Sequence, residues 1–217
     1  MTENNTRQEQ LHENPLHYQL SEYDCGPTSL LNGLSVLFDR EDIAPDIIRN
    51  VMLYSLDCYG SEGAQGKSGT SHMAMMFLSS WLDGLGKAGH MPISSMYLRG
   101  KSVYIGPESL INDALKRKGA AVVRLHYDVE HYVLLTGIRG ESVLMFDPYY
   151  ETEPFPEEDI KITLEHPKLY NRIVPFSYFN KETCDTYSLG APALREAVIL
   201  FNENTKLTED KTIEYFI

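Results

Sequence analysis

The order of patterns along the chain predicts an α+β fold, an N-terminal helical half packed against a C-terminal antiparallel sheet. Three observations carry this. Apolar residues recur at helical spacing as far as Leu115. From Ala120 onward the runs become β-branched and aromatic, with turn residues between them. Helices followed by strands, rather than alternating with them, is the signature of segregated layers. The chain has 217 residues, 42% of them hydrophobic, which suits one domain or one domain with an appendage.

The elements follow in order. Residues 1–14 are polar and are expected to be mobile. His17 and Tyr18 lead into Gln19 as an extended approach. The first helix is predicted from Pro27 to Phe38, because a proline in the first turn loses no helical hydrogen bond. Its apolar face is Leu30, Leu31, Leu34, Leu37 and Phe38. Pro45 opens a second helix with Ile47, Ile48, Val51, Met52 and Leu56 on its stripe. Residues 57–70 form a glycine-rich loop, after which Thr70 or Ser71 caps a third helix carrying Met73, Met76, Phe77 and Trp81. Met96–Leu98 and Val103–Ile105 are short strand candidates. Pro107 is expected to start a fourth helix, with Leu110, Ile111, Ala114 and Leu115 inward and Gly119 as its C-cap.

Residues 120–128, 131–138 and 142–150 then read as three strands, with a hairpin turn at Arg139-Gly140. Residues 151–182 read as loop with short elements, and 197–203 and 212–217 as two further strands. These patterns show no internal repeat and no clear domain boundary.

Composition narrows the partners. Nineteen basic residues stand against 31 acidic ones, a net charge of −12, and no basic cluster stands out. Nucleic acid and anionic membrane surfaces are therefore not expected as main partners. Cys25, Cys58 and Cys184 are too few, and too irregularly spaced, for a disulfide framework. The start has no apolar h-region and no run approaches the length of a bilayer span, so a cytoplasmic location is expected.

Four residues stand out chemically. Cys25 precedes Gly26-Pro27, at the start of the first helix, beside free backbone N–H groups and the positive end of the helix dipole. Alone, this reads equally well as a buried structural cysteine. A thiol nucleophile needs a base, and the base needs an orienting group. A turn at Arg139-Gly140 would set His131 opposite position 147 or 148, so Asp147 becomes the candidate orienter. Whether both side chains share a face depends on a register that the sequence leaves open. Gln19 stands six residues before Cys25.

Gln19, Asp24-Cys25-Gly26-Pro27, Gly69-Thr70-Ser71, His131 through Gly137 and Phe146-Asp147-Pro148 together resemble the bacteriocin-processing (double-glycine leader) cysteine peptidases. The resemblance spans about residues 15–150 and implies a papain-like fold for that unit, with 151–217 as an extension expected to pack on it. It implies a thiol hydrolase acting on a peptide or amide bond, with Cys25 as nucleophile, His131 as base, Asp147 as its orienter and Gln19 as an oxyanion-hole donor. The family's domain is commonly part of a membrane exporter. With no spanning run here, that role and its leader-peptide specificity are not expected to transfer. Related papain-like enzymes pass the same thioester to an amine, so acyl transfer stands as an alternative. A non-catalytic peptide-binding module is a further one.

Other signals lead nowhere specific. The loop at 61–68 fails as a phosphate-binding loop on glycine spacing, and no strand precedes it. His126 and His131 are poorly spaced for a metal, and His12 and His17 flank a proline, so no metal or cofactor is expected. Tyr127, Tyr132, Tyr149 and Tyr150 suit either strand packing or a peptide groove.

Overall fold

The structure, a computed structural model, describes residues 15–208. The segment 1–14 expected to be mobile and the strand expected at 212–217 lie outside the described residues. The elements run α1 (Cys25–Leu37), α2 (Pro45–Ser55), α3 (His72–Lys87), β1 (Ile93–Arg99), α4 (Leu110–Lys116), β2 (Ala120–Tyr127), β3 (Val129–Arg139) and β4 (Ser142–Phe146). Then come β5 (Lys161–Ile162), β6 (Arg172–Pro175), α5 (Phe176–Phe179) and β7 (Glu196–Asn202). Among the described residues, seven strands form one sheet in the order β1-β7-β2-β3-β4-β6-β5, with every neighbouring pair antiparallel. The fold is α+β, as the segregated patterns predict.

The sheet is covered on both faces. Leu30, Leu34, Val51, Met75, Leu78 and Leu82 of α1–α3 pack on Val122, Leu134, Val198 and Leu200. On the other face Ile111, Ala114 and Leu115 of α4, with Phe179, Tyr187 and Leu189, pack on Val123, Leu125, Val133, Ala197 and Ile199. This explains why β2, β3 and β7 are apolar at successive positions instead of alternating: both sides of each strand meet a core. Helix α1 lies close to the sheet at Gly33, where a Cβ would stand 3.0 Å from Leu200 Cδ1 and 3.3 Å from Leu134 Cδ1.

The segment after 150 is built into the sheet. β7 lies between β1 and β2, and β6 pairs with β4. The sheet of the 15–150 unit is therefore continuous only through a strand from beyond it.

Several local expectations are corrected. α1 begins at Cys25, two residues before Pro27, since a proline at the third helical position still lies in the turn whose N–H groups lack helical partners. In α3 the inward residues are Ala74, Met75, Leu78 and Leu82, whereas Met73, Met76 and Phe77 are exposed. That helix is apolar nearly all round, so periodicity leaves its phase open. Its last turns press on β1, where a Cβ at Gly86 would strike the Ile93 carbonyl at 1.8 Å.

Ser109, not Pro107, begins α4: its hydroxyl accepts from Asn112 N–H at 3.0 Å, and Leu110 points outward. Lys118, with φ of 64°, takes the left-handed position expected for Gly119. Gly119 is needed for close approach, because a Cβ there would lie 2.7 Å from the Phe201 ring. Val103 and Ile105 are buried but 103–105 is not a strand; Ile105 N–H and C=O are met at 2.9 and 2.6 Å by the Asn180 side-chain amide.

Candidate active site

Cys25 is the first residue of α1 and is almost fully buried. Behind it the loop from Gln19 is tied to the helix by Asp24. The Asp24 carboxylate accepts from Leu20 N–H at 2.9 Å, from Ser21 N–H and Oγ–H at 2.6 Å each, and from Thr28 Oγ1–H at 3.3 Å. Burial pushes the Asp24 pKa up, but these donors outweigh it and hold the carboxyl below its ordinary value. Asp24 thus caps the loop behind it, not the helix, since it makes no side-chain cap bond to α1's amides.

Gly26 lets the helix start approach the next loop. A Cβ there would stand 2.4 Å from Thr70 Oγ1 and 2.8 Å from Thr70 Cβ. Ser71 caps α3 by accepting from Ala74 N–H at 3.1 Å, and Asp57 in turn accepts from Ser71 N–H and Oγ–H at 2.9 and 2.5 Å. These contacts fix both ends of the glycine-rich loop. Cys58 belongs to it; partial burial, then the adjacent Asp57 carboxylate, raises its pKa, so this second thiol is held protonated.

The β3–β4 hairpin brings His131 and Asp147 together. The turn is Gly140-Glu141, one residue later than expected, with Gly140 at φ 59°. Arg139 pairs with Ser142, Ile138 with Val143 and Gly137 with Leu144; Thr136 is then skipped, and Leu135 pairs with Met145 and Leu134 with Phe146. Continued by one residue, this register sets Asp147 opposite Val133, two positions from His131 and on its face. The pair is a diagonal one, not the direct opposition expected from the sequence. His131 Nε2 lies 2.7 Å from Asp147 Oδ1.

Asp147 is fully buried and both of its oxygens accept further hydrogen bonds. Tyr149 N–H donates to Oδ1 at 2.8 Å and Tyr187 O–H to Oδ2 at 2.9 Å. The backbone beyond the end of β4 is clasped by Asn171, whose Oδ1 accepts from Asp147 N–H and whose Nδ2–H donates to Asp147 C=O, both at 2.8 Å. Arg172, also buried, donates from Nε to Tyr187 Oη at 3.3 Å and from Nη1 to Asn171 C=O at 3.0 Å.

The charges of this cluster support one another. Burial disfavours a charged His131, but the Asp147 carboxylate, its hydrogen bond and the adjoining Cys25 side chain more than offset it, raising the pKa to about 10. Burial likewise disfavours a charged Asp147. The His131 cation and its bond, then Arg172 and the Tyr149 N–H, bring its pKa below the ordinary 3.8. At neutral pH the pair is an imidazolium and a carboxylate.

Gln19 stands beside this cluster: its N–H donates to Pro148 C=O at 2.9 Å. Its side-chain Nε2–H donates to Ser21 C=O at 2.8 Å, while Oε1 is buried with no partner among the described residues. Two of the four tyrosines join an aromatic cluster under the site. Tyr127 lies 6.1 Å from His131, 5.8 Å from Tyr149 and 5.7 Å from Tyr187, ring centre to ring centre. Tyr132 faces away from it and donates to the buried Glu196 at 2.7 Å, and Tyr150 packs edge-on against Tyr18 at 4.9 Å.

Asp24, Asn171, Arg172 and Tyr187 were not among the candidates from sequence. Asp24 had a signal, as an acidic residue directly before a helix. The other three lie 24 to 40 residues beyond Asp147 in chain order, with no motif linking them to it.

Among the described residues no group of three or more His, Cys, Asp or Glu could hold a metal ion, and no helix is long and apolar enough to cross a membrane. No protein-family model and no curated protein matches the chain, so a functional reading rests on the site itself.

Proposed function

We propose that this protein is a papain-like thiol hydrolase that cleaves a peptide or amide bond through a thioester on Cys25. One observation carries the reading: a buried histidine, adjoining a cysteine at a helix start, is held by a fully buried carboxylate at 2.7 Å. A structural histidine has no need of a carboxylate that is itself so fully hydrogen-bonded. A general base does, because its tautomer and orientation must be fixed.

The proposed steps use this geometry. With Nε2 engaged by Asp147, Nδ1 is the ring nitrogen left for Cys25 and the leaving group. The Cys25 sulfur, as thiolate, attacks the carbonyl carbon. The oxyanion forms next to Cys25 N–H, which has no acceptor within α1, and next to the Gln19 amide, whose second N–H is not spent on Ser21. His131 passes its Nδ1 proton to the departing amine, leaving an acyl thioester. Water then attacks that thioester and gives a proton to the neutral His131. Collapse releases the acid and frees the Cys25 sulfur, with the proton left on His131. Asp147 keeps its charge throughout and supports the imidazolium.

Alkylation tests this reading. Iodoacetamide at pH 6, with peptide mapping, is expected to label Cys25 ahead of Cys58 and Cys184, and the preference is expected to vanish in His131→Ala. Labelling of Cys25 no faster than the other two thiols would sink the proposal. Turnover is checked with a peptide library read by mass spectrometry, where Cys25→Ser should abolish product.

A further inference from the structure

We infer that Tyr187 and Arg172 are positioning residues for the proposed reaction, a two-member extension from Asp147 into the segment after residue 150. This rests on the thiol-hydrolase reading and assigns that segment a part in it. Tyr187 O–H donates to Asp147 Oδ2 at 2.9 Å, on the oxygen that His131 does not use, and Arg172 Nε–H donates to the same phenol oxygen at 3.3 Å. The order is imidazole, carboxylate, phenol, guanidinium, and all four residues are buried.

Tyr187 is held in place at some cost. It is fully buried at φ 58°, in the left-handed region that a bulky side chain rarely adopts. Its N–H donates to His126 C=O at 2.8 Å, and His126 N–H donates to the C=O of Ser188, also at 2.8 Å. The end of β2 thus pins the strained residue from both sides, and the Tyr127 ring stacks on it at 5.7 Å. Strain that the surroundings over-determine points to a role for the side chain it aims. A phenylalanine would pack as well in this core, so the hydroxyl is what the geometry serves.

Arg172 answers a different need. A wholly buried carboxylate stays ionised only where cations and donors face it. The groups facing Asp147 are His131 from β3, Arg172 from β6, Tyr187 from the segment between α5 and β7, and Tyr127 from β2. Burial, then the Asp147 charge, pushes the Tyr187 phenol well above its ordinary value, so it remains a donor at any working pH. Among the described residues Arg172 has no carboxylate within ion-pair distance; its other hydrogen-bond partners are the carbonyls of Asn171, Tyr149 and Glu151. It is therefore a fixed positive charge held beneath the His131–Asp147 pair. Losing the phenol or the guanidinium raises the pH at which Asp147 takes up a proton, and with it the low-pH edge of Cys25 reactivity.

The test is the pH profile of Cys25 alkylation by iodoacetamide on the full chain in four variants: Tyr187→Phe, Arg172→Met, Arg172→Lys and His131→Ala. Tyr187→Phe keeps the ring and its stacking, so folding is preserved and checked by thermal melting. The inference expects its low-pH edge to move up by about one pH unit, which is approximately tenfold slower labelling at a pH below the wild-type edge. Arg172→Met should move the edge at least as far, and Arg172→Lys should restore most of the loss. An edge that stays at the wild-type pH in folded Tyr187→Phe, whatever its melting temperature, overturns the inference while leaving the hydrolase reading intact. A wild-type profile identical to that of His131→Ala overturns the hydrolase reading, and the positioning role falls with it.

Discussion

His131 and Asp147 meet across a diagonal of the β3–β4 pair because Thr136 is bulged out of the ladder between them and the turn. Had the register from Arg139↔Ser142 to Gly137↔Leu144 continued unbroken, Asp147 would fall opposite Leu134. Leu134 packs under α1 on the other face of the sheet, while Val133 lies on the face of Leu125 and Tyr187. Leaving Thr136 unpaired thus decides whether the two side chains can touch.

Deleting Thr136 is therefore expected to close the bulge and leave the pair in place, because Leu135↔Met145 then follows Gly137↔Leu144 directly and Asp147 stays opposite Val133. Losing the positioned base itself, in His131→Ala, typically costs about 100-fold or more in rate. Cys25 alkylation at pH 6 in the deletion variant should stay well above the rate of His131→Ala; a fall to that rate would mean that the far half of the ladder does not re-pair in this register. Substitution by alanine, which keeps the residue count and the bulge, should leave it near wild type.

The ion pair has its own pH window. The His131 pKa is raised from 6.5 to about 10, so its contribution to stability is full below 6.5 and lost as pH rises through 10. Asp147 is lowered, so its contribution is present above 3.8 and lost as pH falls through its lower folded value. The stability gap between wild type and His131→Ala is expected to be widest between those limits, about 3 kcal/mol for a buried pair broken on one side. Urea unfolding at pH 6 and pH 10.5 should show that gap closing at the higher pH.

Asp24 ties the Gln19 loop to α1 through four accepted hydrogen bonds. Asp24→Asn keeps the shape but turns one acceptor into a donor that faces other donors. A loss of about 1–3 kcal/mol is expected. Product formation should fall as well, because Gln19 loses its anchor, whereas the His131-dependent labelling of Cys25 should persist. Comparing the two assays on one preparation checks both parts.

Gly26→Ala would drive a methyl to 2.4 Å from Thr70 Oγ1, so α1's first turn or the loop end must move. A cost of about 1–3 kcal/mol is expected from the overpacking. Slower Cys25 labelling should accompany it, because the nucleophile is the neighbouring residue. Thr70→Gly in the same chain should recover most of the labelling; if the double variant is as slow as Gly26→Ala alone, the clash is not the cause.

Local chemistry determined much of this protein before any folding. Pro27 and the leucine spacing placed a helix start beside Cys25, Thr70-Ser71 marked the start of α3, and the turn signal near Gly140 implied that His131 and Asp147 are neighbours in space. Each rests on interactions spanning a few residues, and such interactions leave a local trace in sequence. The tertiary structure alone decided the rest. It set the phase of α3, because a helix apolar all round can bury any side until β1 selects one. It inserted β7 between β1 and β2, and it placed Tyr187 and Arg172 beneath Asp147. It also chose the bulge at Thr136. A strand's side chains alternate with period two, so shifting the register by one residue exchanges the faces, and only packing on both sides of the sheet selects between them.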